Sequence, residues 1–362
     1  MSRLAKTLEI RTSPHILSGY SVDTIMFNVV VALLPAALFA VYAFGLAALL
    51  TLTVAVGSCV AVEHWISKRN TGRSTAGDWS IVITGLLFGL TLPPGLPLWM
   101  TALGGAICVL LGKAVFGGLG QNPFNPALVG RATLQAAFPV SMTSWVDGFT
   151  GGRFTQLPSS TLTFPFAHPV YDAVSGATPL AAWKFEKVAV ETERLVFGMT
   201  NGSAGETSAL LIALGGAYLI ARNMMNWRIP AAVLGGAFLL SGALHTVNPG
   251  EYASPWLMLF SGGLMLGATF MASDMVLADD QPRLLDLWRV YRCGCHRHSY
   301  LGRHARGWMY AILLGNAVSP QIDRILQPRL WHAPQGERRM KTESWPMLRA
   351  MVGVGLVCGA RS

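Results

Sequence analysis

The sequence predicts an all-α polytopic membrane protein with about eight to ten transmembrane helices, two inverted repeats containing broken helices, and one large loop on the outer side. Three observations carry this. Only 12% of the 362 residues are charged and 52% are hydrophobic, whereas soluble domains carry about 25% charged residues. The apolar residues fall in blocks of about 20, the length that crosses a bilayer as a helix, which makes membrane lipid the chain's principal surroundings. Mean hydropathy is +0.44. The formal net charge of +9 does not imply a nucleic-acid partner. Its basic residues lie at the ends of apolar blocks, where they act as topology signals. Cys59, Cys108, Cys293, Cys295 and Cys358 are dispersed apart from one pair, and two of them fall inside apolar blocks, so they form no disulfide framework.

Met1 to Asp23 mixes Arg3, Lys6, Glu9 and Arg11 without an apolar run, so no cleaved signal is expected and the N-terminus stays cytoplasmic. Thr24 to Gly45 and Leu46 to Ile66 read as two spans in a tight hairpin. Lys68, Arg69 and Arg73 place the next turn inside. Ser80 to Leu92 is too short to span and stops at Pro93-Pro94-Gly95-Leu96-Pro97, which predicts a half-helix. Leu98 to Val115 and Pro126 to Val140 follow as further segments, joined by a loop rich in glycine, asparagine and proline. From Ser141 to Glu206 the chain turns polar, and counting segments puts this loop outside. Thr207 to Ala221, Ile229 to Leu244 and Pro255 to Ala272 read as three more crossings, with Arg222 and Arg228 at an inner end. Gln281 to Arg306 breaks the pattern with six arginines and no spanning run. Gly307 to Val318 is apolar again, and Trp345 to Gly359 is a weak last stretch. Gly-rich segments that end abruptly, at Leu92 and at Asp274, recur in both halves, the usual pointer to inverted repeats.

In the outer loop, Asp172-Ala-Val-Ser175-Gly176-Ala177-Thr178 has a plain structural reading. It is a flexible loop entering a helix, with Thr178 as N-cap and Pro179 at the first position. Asn122 and Asn125 lie in non-helical backbone, tolerated at membrane depth only when buried in protein or lining a cavity. They read equally as a flavin or ion pocket and as a rigid turn. Glu63, Glu206 and Asp274 are ion-path candidates. Their places near segment ends, shared by His64 and His245, favour an interfacial, solvated setting. Cys293, Cys295, His296 and His298 are too closely spaced for one tetrahedral zinc centre, and no metal site is expected.

The heptad ending at Thr178 resembles the flavinylation site of two related membrane proteins: the D-type subunit of the Rnf-type ion-translocating oxidoreductase and the B-type subunit of the Na⁺-translocating NADH:quinone reductase. Other blocks resemble the same family. They are Ser13-Pro14-His15, Phe116 to Ala132 with its Asn122-Pro-Phe-Asn125 core, Gly202 to Ser208, Gly267 to Asp274 and Asn316 to Arg324. The short N-terminus is more similar to the Rnf protein. The resemblance implies FMN bound covalently through a phosphoester to Thr178, with Asp172, Ser175, Gly176 and Ala177 forming the pattern read by a separate flavin transferase that uses FAD. It also implies a second, non-covalent flavin such as riboflavin. The implied partners are the A-, B-, C-, E- and G-type members of the Rnf complex, above all the flavin-bearing G-type member. The implied role is electron transfer coupled to Na⁺ or H⁺ movement in an NADH/ferredoxin oxidoreductase complex of the bacterial inner membrane. The NADH site and the iron-sulfur centres would lie on other subunits, and the Thr178 loop would be periplasmic.

On this reading residues 1–23 are a cytoplasmic N-terminus, 24–140 and 207–274 are two membrane repeats, and 141–206 are the periplasmic loop. Residues 307–335 are a last family-like helix and cytoplasmic end. The stretches 275–306 and 336–362 depart from the family. The first keeps the expected spacing with altered composition, as two compensating reading-frame shifts would leave it, and within the second Met340 to Gly359 resembles the start of the G-type Rnf protein. A channel or transporter for a small neutral solute, without redox chemistry, is the alternative that broken helices also describe.

Overall fold

A computed structural model describes residues 22–71, 77, 79–118, 120–165, 167, 178–188, 190–206, 208–273 and 309–317. Among them the regular structure is entirely helical. Four segments are long and apolar enough to cross a membrane: Val22–Phe44, Leu46–Arg69, Leu98–Phe116 and Arg228–Val247. The chain is thus a polytopic helical membrane protein. Ser13 to His15, Asp172 to Ala177, Asp274, residues 275–306 and residues 318–362 lie outside the described residues, and with them Cys293, Cys295, His296, His298 and Cys358.

The hairpin of α1 (Val22–Phe44) and α2 (Leu46–Thr71) turns on Gly45, at a φ of +66°. Leu46 N–H donates to the Arg153 carbonyl at 2.9 Å, and a Cβ at position 45 would stand 2.0 Å from that oxygen. Only glycine meets both demands. α3 (Ser80–Thr91) and α4 (Leu98–Gly112) lie against α2. Small residues set their approach, since a Cβ on Gly85 would reach the Val56 backbone at 2.7 Å and one on Gly105 the Ser58 hydroxyl at 2.0 Å.

α3 is the half-helix expected from the sequence. Its proline-rich exit is satisfied by protein, as backbone at membrane depth requires. Thr51 Oγ1 donates to Pro94 O (3.2 Å), Ser160 Oγ to Gly95 O (2.7 Å), and Leu98 N–H to Thr161 O (3.1 Å). Two orphan carbonyls at the end of α3 are covered by another strip of chain: Gly205 N–H reaches Leu90 O at 2.6 Å and Ala204 N–H reaches Leu92 O at 3.2 Å.

The expected segment Pro126 to Val140 is two helices, α5 (Pro126–Ala137) and α6 (Pro139–Thr143). Pro139 disfavours helical backbone at Phe138, and the chain turns there. α7 (Pro179–Glu186) and α8 (Thr192–Phe197) are the helices of the polar segment. α9 (Ala209–Ala221) packs on α1, where the Tyr218 hydroxyl donates to Asn28 Oδ1 at 2.7 Å. α10 (Arg228–Val247) leads to the stretch read as a single crossing from Pro255 to Ala272. That stretch is broken instead. α11 (Pro255–Phe260) ends before Gly262, at a φ of +72°, and α12 (Leu264–Leu266) passes into a π-helical turn, Gly267–Met271. Gly262 adopts a backbone that continues no helix. α13 (residues 309–317) adds Met309, Ala311 and Ile312 to the main core, which also draws on α1 to α5, α9, α10 and α12.

Candidate functional site: a polar cavity and the threonine at the start of α7

The helices share two ends. One end gathers the starts of α1, α3 and α5 with the ends of α4 and α9 around a cavity of about 90 Å³. Its walls are mostly apolar, including Met26, Met224 and Met225, and its polar groups are Ser80, Thr84, Lys113, Asn122, Asn125 and Ser273. Asn125 is fixed by the helix it starts, its Oδ1 accepting from Ala127 N–H at 3.1 Å and Leu128 N–H at 3.4 Å. Asn122 is held through its amide nitrogen, which donates to Phe124 O at 3.1 Å. Its Oδ1 is buried without a hydrogen-bond partner among the described residues. Such an oxygen at a cavity wall is ready for a donor from a bound molecule.

Lys113, at the end of α4, donates through Nζ to Glu63 Oε1 at 2.9 Å and to Ser80 Oγ at 3.1 Å. Glu63 is 6% exposed. The interfacial, solvated setting expected for Glu63 is therefore corrected. α2 runs on to Thr71, which carries Glu63 inward to a buried cation, while His64 faces out. A buried ion pair needs further hydrogen bonds to be tolerated, and the Ser80 hydroxyl supplies one.

At the other end stands Thr178, the N-cap of α7. Its Oγ1 accepts from Ala181 N–H at 3.3 Å, and Pro179 occupies the first helical position. The residue is 8% exposed, so the hydroxyl expected in an exposed loop is turned inward onto the helix. Both sequence readings of Thr178 meet in this atom, since the capping oxygen is the one a phosphoester would use. Ser175, Gly176, Ala177 and Asp172 lie outside the described residues. Glu206 is half-buried before α9, with Oε2 accepting from Ser203 N–H at 3.3 Å. His245 is half-buried as well, its Nδ1 at 2.8 Å from Tyr252 O. Asp274 lies outside the described residues. Asn122, Asn125 and Glu63 thus come together at one end, the first two on the cavity and Glu63 behind Lys113, whereas Thr178 and Glu206 belong to the segment at the other.

Two cations escape the sequence reading. Lys113 sits in what reads as an ordinary span. Arg131, on α5, is 0% exposed, and none of its guanidinium nitrogens has a hydrogen-bond partner among the described residues. The carboxylate whose field it feels is that of Glu206. The available signal was simple: each is a lone cation inside an apolar block.

The chain matches the family model described as NQR2, RnfD, RnfE family over residues 9–332. That span includes the arginine-rich stretch and stops short of residues 336–362. The chain is 36% identical over 333 residues to the D subunit of the proton-translocating ferredoxin:NAD(+) oxidoreductase complex of Clostridium ljungdahlii, covering 88% of this chain and 94% of the relative. It is also 36% identical over 344 residues to the D subunit of the ion-translocating oxidoreductase complex of Halorhodospira halophila, covering 89% and 95%. With the D subunit of the Na(+)-translocating ferredoxin:NAD(+) oxidoreductase complex of Acetobacterium woodii it shares 36% identity over 345 residues, covering 93% and 98%. The relatives are subunits of multi-subunit oxidoreductase complexes, and the family match runs through α1 to α13. This chain belongs to the NQR2, RnfD, RnfE family of ion-translocating oxidoreductase subunits.

Proposed function

We propose that this chain is the membrane flavoprotein subunit of an ion-translocating NADH/ferredoxin oxidoreductase complex. It carries electrons through FMN joined by a phosphoester to Thr178 and couples their transfer to Na⁺ or H⁺ movement. The observation that carries the proposal is the position of the Thr178 hydroxyl at the start of α7. Threonine is a poor nucleophile unless activated, so a separate flavin transferase makes the bond. The hydroxyl oxygen takes the FMN phosphorus of FAD, the pyrophosphate bond breaks, AMP leaves, and the hydroxyl proton is released. The phosphate so formed would be held at the positive end of the α7 dipole, which favours an anion. The buried setting of the hydroxyl implies that the transferase acts while residues before Thr178 are displaced or before the loop has closed.

The flavin supplies one- and two-electron chemistry when bound. The chain's own work is to hold it. At the opposite end, Asn122, Asn125, Ser80 and Thr84 offer amides and hydroxyls to the polar edge of a second, non-covalent flavin of the riboflavin class, while methionines face its apolar part. Ligand pockets of this kind are usually about 300 Å³ or more. A tricyclic ring therefore enters as Met26, Met224 and Met225 swing aside, which unbranched side chains do readily. In this arrangement the Thr178 end is periplasmic, the N-terminus is cytoplasmic, and the membrane is the bacterial inner membrane. Neighbouring Rnf proteins, with the G-type member first among them, exchange electrons with the Thr178 flavin.

The test is ultraviolet fluorescence of the denatured protein in a gel after co-expression with the transferase. The wild-type band fluoresces and a Thr178→Val band is dark. A dark wild-type band, or a fluorescent variant, defeats the proposal and favours a redox-inactive transporter.

A further inference from the structure

We propose that Arg153 forms a binding site for a phosphodiester, the headgroup of a membrane phospholipid. Arg153 lies in the segment after α6, and its backbone carbonyl clamps the α1–α2 turn at Leu46. Its guanidinium carbon stands 5.0 Å from the centroid of the Tyr42 ring, 5.2 Å from Phe154 and 5.8 Å from Phe149. Three rings thus hold the flat cation. Among the described residues its side chain has no hydrogen-bond acceptor, and its Nε is buried. A guanidinium packed on rings keeps its N–H edge for an acceptor, and a phosphate oxygen pair matches that fork.

The cation lines a cavity of about 330 Å³ together with Ser144, Trp145, Thr150, Gln156 and Ser160. Asp147, the acid on that wall, is engaged elsewhere, accepting from Asn201 Nδ2 at 2.6 Å. Ser144 and Ser160 spend their hydroxyl protons on Val140 O and Gly95 O, so the Thr150 hydroxyl and the Gln156 amide are the donors beside a cation whose nearby carboxylate is committed to Asn201. The cavity also has an apolar approach. Leu34, Leu38 and Tyr42 are exposed at four-residue spacing on α1, a strip that ends at Arg153. One face of a helix that spans the membrane presents such a strip to acyl chains. Arg153 thus occupies the level of the headgroups, where a chain lying on Leu34 and Leu38 ends in a phosphate. A free phosphate ion shares the headgroup chemistry but has no use for the strip.

The experiment uses the full chain purified in detergent and depleted of lipid. Thermal unfolding is followed with added phosphatidylglycerol, with inorganic phosphate, and with neither. Phosphatidylglycerol at about a hundred times its dissociation constant is expected to raise the wild-type Tm by about 3 °C, while phosphate gives no shift. Arg153→Gln abolishes the lipid shift. Thr150→Glu changes an exposed rim residue and places a carboxylate facing the cation, and it abolishes the shift too, which guards against a misfolded Arg153 variant. A shift with inorganic phosphate alone, lost in both variants, reassigns the site to a free anion and overturns the lipid headgroup. Equal lipid shifts in the wild type and in Thr150→Glu overturn the site altogether.

Discussion

A single amide oxygen separates the two readings of the Asn122 to Asn125 loop. In a rigid turn both side chains would be spent on backbone. Asn125 spends its oxygen in this way, but Asn122 keeps Oδ1 buried and unpaired among the described residues while its nitrogen fixes the side chain in place. An unsatisfied buried acceptor costs about 1–3 kcal/mol, which a bound donor recovers. Asn122→Leu should therefore release the non-covalent flavin. Acid precipitation of wild-type protein leaves riboflavin-class flavin in the supernatant, and the variant should leave at least about tenfold less per chain, for one lost hydrogen bond of this kind. The fluorescent band at Thr178 should be unchanged. Equal release from both proteins would return the loop to a structural turn. The sequence made Asn122 and Asn125 visible because polar residues among prolines and glycines stand out within an apolar chain. It could not separate them, because capping and ligand binding use the same amide. Lys113 and Arg131 were invisible for the opposite reason: one charge leaves an apolar block apolar enough to read as a span, and the partner that explains it lies 50 residues away for Lys113 and Glu63.

At the scale of elements, the sequence conveyed lengths and stops better than breaks. The stop of α3 was legible because three prolines in five residues cannot continue a helix. The break between α11 and α12 was not, because Ser261-Gly262-Gly263 resembles the small residues that elsewhere pack helices tightly. Glycines of both kinds occur here, and only packing tells them apart. Gly130 on α5 faces α4, where a Cβ would stand 2.2 Å from Cys108 Sγ and 2.8 Å from Gly104 O. The second contact is with backbone, so no rotamer relieves it. Gly130→Val should push α5 from α4 and cost upwards of about 3 kcal/mol, the upper part of the overpacking range. Size-exclusion chromatography of a detergent extract would then replace the monodisperse peak with aggregate. A monodisperse variant of unchanged Tm would mean that α4 and α5 are not held this close.

Across the whole molecule, Arg131 joins regions far apart in sequence. It sits on α5 with Gln135 one turn further on, Glu206 precedes α9, and Tyr310 and Asn316 belong to α13. Gln135 Oε1 and Asn316 Nδ2 are also buried without partners among the described residues, so the centre of the bundle is polar where its outside is apolar. A guanidinium in such a place is tolerable only if a carboxylate answers it, and Glu206 is the acid within its field. Glu206 belongs to the same strip that covers the carbonyls of Leu90 and Leu92. Their attraction therefore links α5 to the second half of the chain beside the half-helix α3. Removing either charge strands the other, at about 3–5 kcal/mol, whereas removing both restores neutrality. Arg131→Met and Glu206→Gln should each lower the Tm in detergent more than the double variant does, so that the coupling in the cycle is at least the size of one single loss, about 3 kcal/mol. If the two losses simply add, Glu206 is not the counter-ion of Arg131. Glu206 would then be left as a candidate on the ion path rather than as the lock between the two halves.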